Sequence, residues 1–226
     1  MKKYLYIIFI LGAMGILYVL MLKDHPMGIE DQTDNPVALE SAIVHVTAMT
    51  DLVTRYGSGV IIDGDDQFYY VLSNHHITMD ANTITLTIYD GTSFPGELIN
   101  AMASYDLSFI RFERTEDLEI MEISTDYQPG DHIVSMGYPG GVFQSSEGTI
   151  TRTMILEDSL TFPVIHHSAE ISHGSSGGAL IDGHGNLIGI NYAVKDRDGL
   201  YIQSYAIPMV RVLEFLEVIG YDLSTA

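Results

Sequence analysis

Between Thr83 and Ile88 polar and apolar residues alternate without a break, Thr-Ile-Thr-Leu-Thr-Ile. A period of two puts every second side chain on one face, which predicts a strand buried on one side. Short runs of this β type recur, separated by turn residues. Ala42–Thr47, Gly59–Ile62, Phe68–Ser73, Thr83–Tyr89 and Leu107–Phe112 make a first set. His132–Met136, Gly148–Thr153, Pro163–His167, Ala179–Ile181, Leu187–Val194 and Tyr201–Ile207 make a second. The acidic, irregular stretch from Glu113 to Gln128 reads as a connector. Two groups of roughly six strands predict an all-β chain of two small antiparallel barrels, at about 38–115 and about 126–207. Only the tail is helical in spacing: Met209, Val212, Leu213, Leu216 and Ile219 fall on one stripe. Pro208 before it and Gly220 after it suit the two ends of a helix over about 208–220.

The N-terminus obeys a different rule. Tyr4 to Leu22 is a run of nineteen residues without a charge, preceded by Lys2 and Lys3. As a helix it would span roughly 28 Å, close to the thickness of a bilayer's hydrocarbon core. Met21-Leu22-Lys23-Asp24-His25 offers no small-residue cleavage site, so the expectation is an uncleaved membrane anchor over 1–23. Residues 24–37 are polar and bear prolines, as a tether would, and 38–226 form the folded domain. The two lysines before the span predict a cytoplasmic N-terminus and an extracytoplasmic domain on a single-pass protein. From Lys23 onward eight basic residues face thirty acidic ones, 8 − 30 = −22. Such a field argues against nucleic acid and anionic lipid headgroups as partners. The chain has no cysteine, which excludes disulfides, thiol catalysis and thiolate metal sites.

One turn has the residues for nucleophilic chemistry. In His173-Gly174-Ser175-Ser176-Gly177-Gly178, Ser176 is bracketed by glycines. Glycine permits unusual backbone angles and close backbone approach. A serine nucleophile needs both, so that its Oγ is exposed and N–H groups converge on the oxyanion it generates. A base is on offer where His75-His76 follow the run Phe68–Ser73, imidazole being suited to proton exchange near neutrality. Asp106, just before the apolar run Leu107–Phe112, is the best candidate to orient that base, since an aspartate there would be costly to bury without a partner.

Taken together, these blocks resemble the HtrA (DegP-type) branch of the trypsin-fold serine proteases. The matching segments are Gly57-Ser58-Gly59-Val60-Ile61-Ile62 leading to Ser73-Asn74-His75-His76-Ile77, then Asp106-Leu107-Ser108, then Gly174-Ser175-Ser176-Gly177-Gly178-Ala179-Leu180 running on to Asn191. Gly137-Tyr138-Pro139-Gly140-Gly141 and Ala206-Ile207-Pro208 fit as well, and the likeness covers about Ile43 to Gly220. It implies two barrels of the trypsin/chymotrypsin type with a C-terminal helix. It also implies a triad of His76, Asp106 and Ser176, and an oxyanion hole from the N–H groups of Gly174 and Ser176. By position, Ile171 and Val194 would line the primary specificity pocket, favouring apolar side chains. Lys195 and Glu170 cut against this, and an inward Glu170 would favour basic ones. Ser168, His173 and Ser175 depart from the usual residues around the nucleophile. After the helix only Tyr221 to Ala226 remain, so no PDZ domain is expected.

No cofactor is expected, and no metal, because adjacent histidines such as His75-His76 and His166-His167 on a strand would point to opposite faces. The implied function is a membrane-tethered extracytoplasmic serine endopeptidase in protein quality control. Its substrates would be unfolded or misfolded exported polypeptides, and a homotrimer would be its family assembly. The alternatives are a non-catalytic trypsin-fold binding or sensor module, and a specific processing protease.

Overall fold

The computed structural model describes residues 36–155, 160–195 and 202–223. Contacts divide the chain into Met1–Asp34 and Asn35–Ala226, and everything described belongs to the second unit. The expected anchor over 1–23 and most of the tether lie outside the described residues. Among the described residues no helix is long and apolar enough to cross a membrane.

A short helix, α1 (Pro36–Ser41), leads into the first barrel. Its strands are β1 (Ile43–Met49), β2 (Thr54–Gly64), β3 (Phe68–Ser73), β4 (Thr83–Thr87), β5 (Ser93–Met102) and β6 (Leu107–Glu113). Antiparallel pairing closes them in the order β1-β2-β3-β6-β5-β4. One turn of helix, α2 (His75–Thr78), follows β3 after Asn74, so His75 and His76 open a helix rather than extend a strand. The second barrel comprises β7 (His132–Gly137), β8 (Gln144–Ile155), β9 (Pro163–His167), β10 (Ala179–Asp182), β11 (Leu187–Lys195) and β12 (Ile202–Pro208). It closes as β10-β11-β12-β9-β8-β7. The two-barrel, all-β expectation therefore holds.

Strand β5 has no counterpart in the sequence reading. Most of its side chains are exposed, and it carries Pro95, Gly96 and a register shift between Leu98 and Asn100. Its strand character comes from pairing with β4 and β6, which local periodicity does not register. The helix α1 also begins inside the stretch read as tether.

Each barrel has its own apolar filling: Val46, Ile61, Val71, Leu86 and Ile110 in the first, Ile133, Ile165, Leu180 and Ile188 in the second. A larger cluster is shared, with Ile43, Leu72 and Phe109 packing in one body with Ile190, Ile207 and Phe215. Burial of this shared apolar surface holds the barrels as one unit. The C-terminal helix α3 (Met209–Val218) buries Met209, Val212, Phe215 and Leu216, so Phe215 rather than Leu213 completes the stripe. Gly220 ends it at φ 73°, with Gly220 N–H donating to Glu217 O and Tyr221 N–H to Leu216 O. This glycine cap satisfies the last carbonyls of the helix. Beyond it, Tyr221 reaches back to the first barrel, its hydroxyl donating to the buried Asp63 carboxylate at 2.9 Å.

Candidate active site

Asn74 separates β3 from α2 and is fully buried, its side-chain Nδ2 donating to the Asp106 carbonyl at 3.0 Å. The backbone N–H of His75 donates to the same carbonyl at 3.1 Å. These bonds fix Asp106 in the left-handed region, at φ 50°, a conformation that non-glycine residues rarely adopt. The strained residue precedes β6, and its carboxylate meets His76 twice. Oδ1 accepts the His76 backbone N–H at 2.9 Å and Oδ2 faces ring Nδ1 at 2.7 Å. A carboxylate only accepts, so the ring proton sits on Nδ1 and the lone pair is left on Nε2. The Asp106 side chain is 10% exposed and that of His76 40%, which shields the pair while leaving the imidazole open to a cleft. The ring of Tyr192, on β11, stands edge-on to His76 with centroids 6.0 Å apart.

Residue Tyr192 follows Asn191, whose backbone carbonyl accepts Gly177 N–H at 2.9 Å. The turn that bears Ser176 is thereby fastened to the strand that flanks His76. Asn191 is fully buried and its Nδ2 donates to Ser135 Oγ at 2.8 Å and to the carbonyls of Met136 and Ala179. It ties β7, β10 and β11 together beneath the turn. Gly177 has φ 87°, and a Cβ there would lie 2.1 Å from the Ser58 carbonyl oxygen, so only glycine fits.

The carbonyls of the turn are held one by one. His173 O accepts Gly140 N–H at 3.2 Å, Ser175 O accepts Gly178 N–H at 3.0 Å, and Ser176 O accepts Ser58 N–H at 2.8 Å. Gly174 O accepts the Ser58 hydroxyl at 2.7 Å. In a trans peptide the N–H points opposite to the carbonyl. With His173 O turned onto Gly140, the Gly174 N–H is turned away from Gly140. Gly174 sits at φ 102°. Ser175 is buried and its Oγ accepts Ser172 N–H at 3.1 Å, closing the turn locally, whereas the side chain of His173 is exposed. Ser168 lies outside the turn, accepting Thr149 N–H at 2.9 Å.

Behind the turn, Ile171 is buried and lines a cavity of about 240 Å³ with Glu170, Ser172, Ser175 and residues of β7 and β8. Glu170 is exposed, and its N–H donates to Ser146 Oγ at 2.9 Å. Among the described residues, none of β11 lines this cavity. The backbone of Val194 pairs with Gln203, and its side chain lies outside the described residues. Tyr138, which borders the turn, is pushed up to about 12 by burial and by the charge of Glu40, so it stays a neutral phenol. His45, stacked on Tyr56 and beside Tyr138, has its pKa lowered by burial.

Sequence reasoning missed Ser58, Asn74 and Asn191 as builders of the site. The available signal was a polar residue set inside an apolar or glycine-flanked run, as in Gly57-Ser58-Gly59 and Gly189-Ile190-Asn191.

The family model described as a trypsin-like peptidase domain matches residues 57–190. The periplasmic serine endoprotease DegP of Escherichia coli is 32% identical over 160 residues, covering 67% of this chain and 33% of its own. The serine protease Do-like HtrB of Bacillus subtilis is 28% identical over 164 residues, covering 67% of this chain and 35% of its own. The chain thus spans about a third of the length of these curated relatives. Among solved structures, the HtrA-type protease AlgW with tripeptide superposes with a TM-score of 0.72 at 28% identity, over 80% of this chain and 61% of that one.

Proposed function

The chain belongs to the trypsin-like peptidase family, with HtrA- and DegP-type proteases among its relatives, and from that premise we propose that it is a serine endopeptidase. The observation that carries the reading is the His76 Nδ1–Asp106 Oδ2 contact of 2.7 Å, with the turn bearing Ser176 tied through Gly177 N–H to Asn191, whose neighbour Tyr192 flanks the His76 ring. Ser176 Oγ attacks the peptide carbonyl while its proton passes to His76 Nε2. The oxyanion is received by the N–H groups of Gly174 and Ser176. Asp106 keeps the imidazole in the Nδ1–H form and stabilises the imidazolium. Collapse breaks the C–N bond, the proton on Nε2 leaves with the amine, and water then hydrolyses the acyl-enzyme with His76 again as base. Ile171 and Val194 form the walls of the primary pocket.

The same reading takes Tyr4–Leu22 as a membrane anchor, residues 24–37 as tether and 38–226 as a protease domain outside the cytoplasm. Its substrates are unfolded or misfolded exported polypeptides, and its assembly is a homotrimer. The test is casein cleavage by wild type and Ser176→Ala. Loss of cleavage in the variant supports the reading, and undiminished cleavage overturns it.

A further inference from the structure

Ser58 is fully buried on β2 of the first barrel, yet four of its bonds lead out of that strand. Its hydroxyl donates to Gly174 O at 2.7 Å and accepts Tyr138 N–H at 2.8 Å. An amide can only donate, so the single hydroxyl proton is committed to the Gly174 carbonyl. The Ser58 N–H donates to Ser176 O at 2.8 Å. Its carbonyl accepts the Ser73 hydroxyl at 2.7 Å, three residues before His76. One residue therefore grips the backbone on both sides of Ser176 and the end of the strand that leads into the helix bearing the base.

We infer that Ser58 is a positioning residue for the oxyanion hole, acting through its hydroxyl on the two peptides that flank Gly174 and so on the orientation of the Gly174 N–H. This rests on Ser176 being the nucleophile. The hydroxyl works by two routes. It fixes the Gly174–Ser175 peptide directly. Through Tyr138 N–H it also fixes the start of the Pro139–Gly141 turn, whose Gly140 N–H holds the carbonyl of the His173–Gly174 peptide. A trans peptide carries the grip on His173 O to the Gly174 N–H on its other side, while the grip on Gly174 O sets the next peptide, whose Ser175 N–H donates to Ser172 O. The barrel carrying His76 thus sets the shape of the turn carrying Ser176.

The test compares full-length wild type, Ser58→Ala and Ser58→Cys on a peptide substrate and on the matching peptide aldehyde. The aldehyde adds to a serine hydroxyl as a hemiacetal and calls on the same N–H groups. Losing a direct oxyanion donor costs about 10²–10³ in rate, and Ser58 acts at one remove. Folded Ser58→Ala should therefore lose roughly 10- to 100-fold in kcat and as much in aldehyde affinity, with KM within about twofold. The pH profile of kcat/KM should be unmoved, because the His76–Asp106 pair is untouched. Ser58→Cys fills the same space but donates weakly, and should show the same split at smaller size. A folded variant with wild-type kcat and aldehyde affinity, or a loss confined to KM, would overturn the inference. So would failure of both variants to fold, which would assign Ser58 to stability. Ser176→Ala in the same assay separates the two claims: if it is inactive while the Ser58 variants are normal, only the role of Ser58 fails.

Discussion

Asp106 accepts from His76 twice, through Oδ1 from the backbone N–H at 2.9 Å and through Oδ2 from ring Nδ1 at 2.7 Å. The first bond sets where the residue stands and the second sets which nitrogen carries the proton. Asp106→Asn separates these tasks. Asparagine tolerates the left-handed φ that Asp106 adopts, so the variant should fold. An amide Nδ2–H facing His76 would favour the tautomer with its proton on Nε2, which cannot accept from Ser176. We expect kcat to fall by about 10⁴ with little change in melting temperature. Steady-state kinetics with a thermal melt on the same sample checks this.

The close approach of Gly177 to Ser58 makes a steric prediction. Gly177→Ala would set a Cβ 2.1 Å from Ser58 O and 2.6 Å from Ser73 Oγ, at φ 87°. Strained backbone of this kind costs about 1–3 kcal/mol, and the clash displaces the turn as well. Activity should be abolished and the melting temperature lowered. Gly183→Ala, where an added Cβ meets nothing within 4 Å, should change neither and serves as the control.

His167 on β9 is 2% exposed, and burial lowers its pKa to about 4, with a smaller opposing pull from the Tyr205 backbone and a further push from His166. The unfolded chain takes up this proton near pH 6.5 and the folded one only near 4. Stability therefore falls as pH drops through that window and levels off below it. The contribution is on the order of 3 kcal/mol. Denaturant melts between pH 7 and 4 should show this slope, and His167→Leu should flatten it. An unchanged slope in that variant would show that other groups set the acid limb.

Much of the fold was legible because one-sided burial writes a period of two into the chain, as at Thr83–Thr87, where Ile84 and Leu86 face inward. Phe68–Ser73 and Pro163–His167 keep their expected limits as short runs of β-type residues. Strand β5 was not legible, since its exposed faces carry no such record and its partners are other strands. The approach of Asp106 to His76 could be expected, because a carboxylate at the mouth of an apolar strand needs a donor. The role of Ser58 could not. Its contact with Gly174 joins positions 116 residues apart, and the flanking glycines that mark the serine do not say which backbone its hydroxyl meets.

The central claim is that Ser176 is the nucleophile, and covalent labelling tests it most directly. Full-length wild type is treated with a fluorophosphonate probe across a range of pH and the modified residue is mapped by mass spectrometry, with Ser176→Ala alongside. The account predicts a single adduct on Ser176 in wild type and no adduct in the variant. Labelling of folded Ser176→Ala to the wild-type extent, or a folded wild type that reacts at no pH, would contradict it.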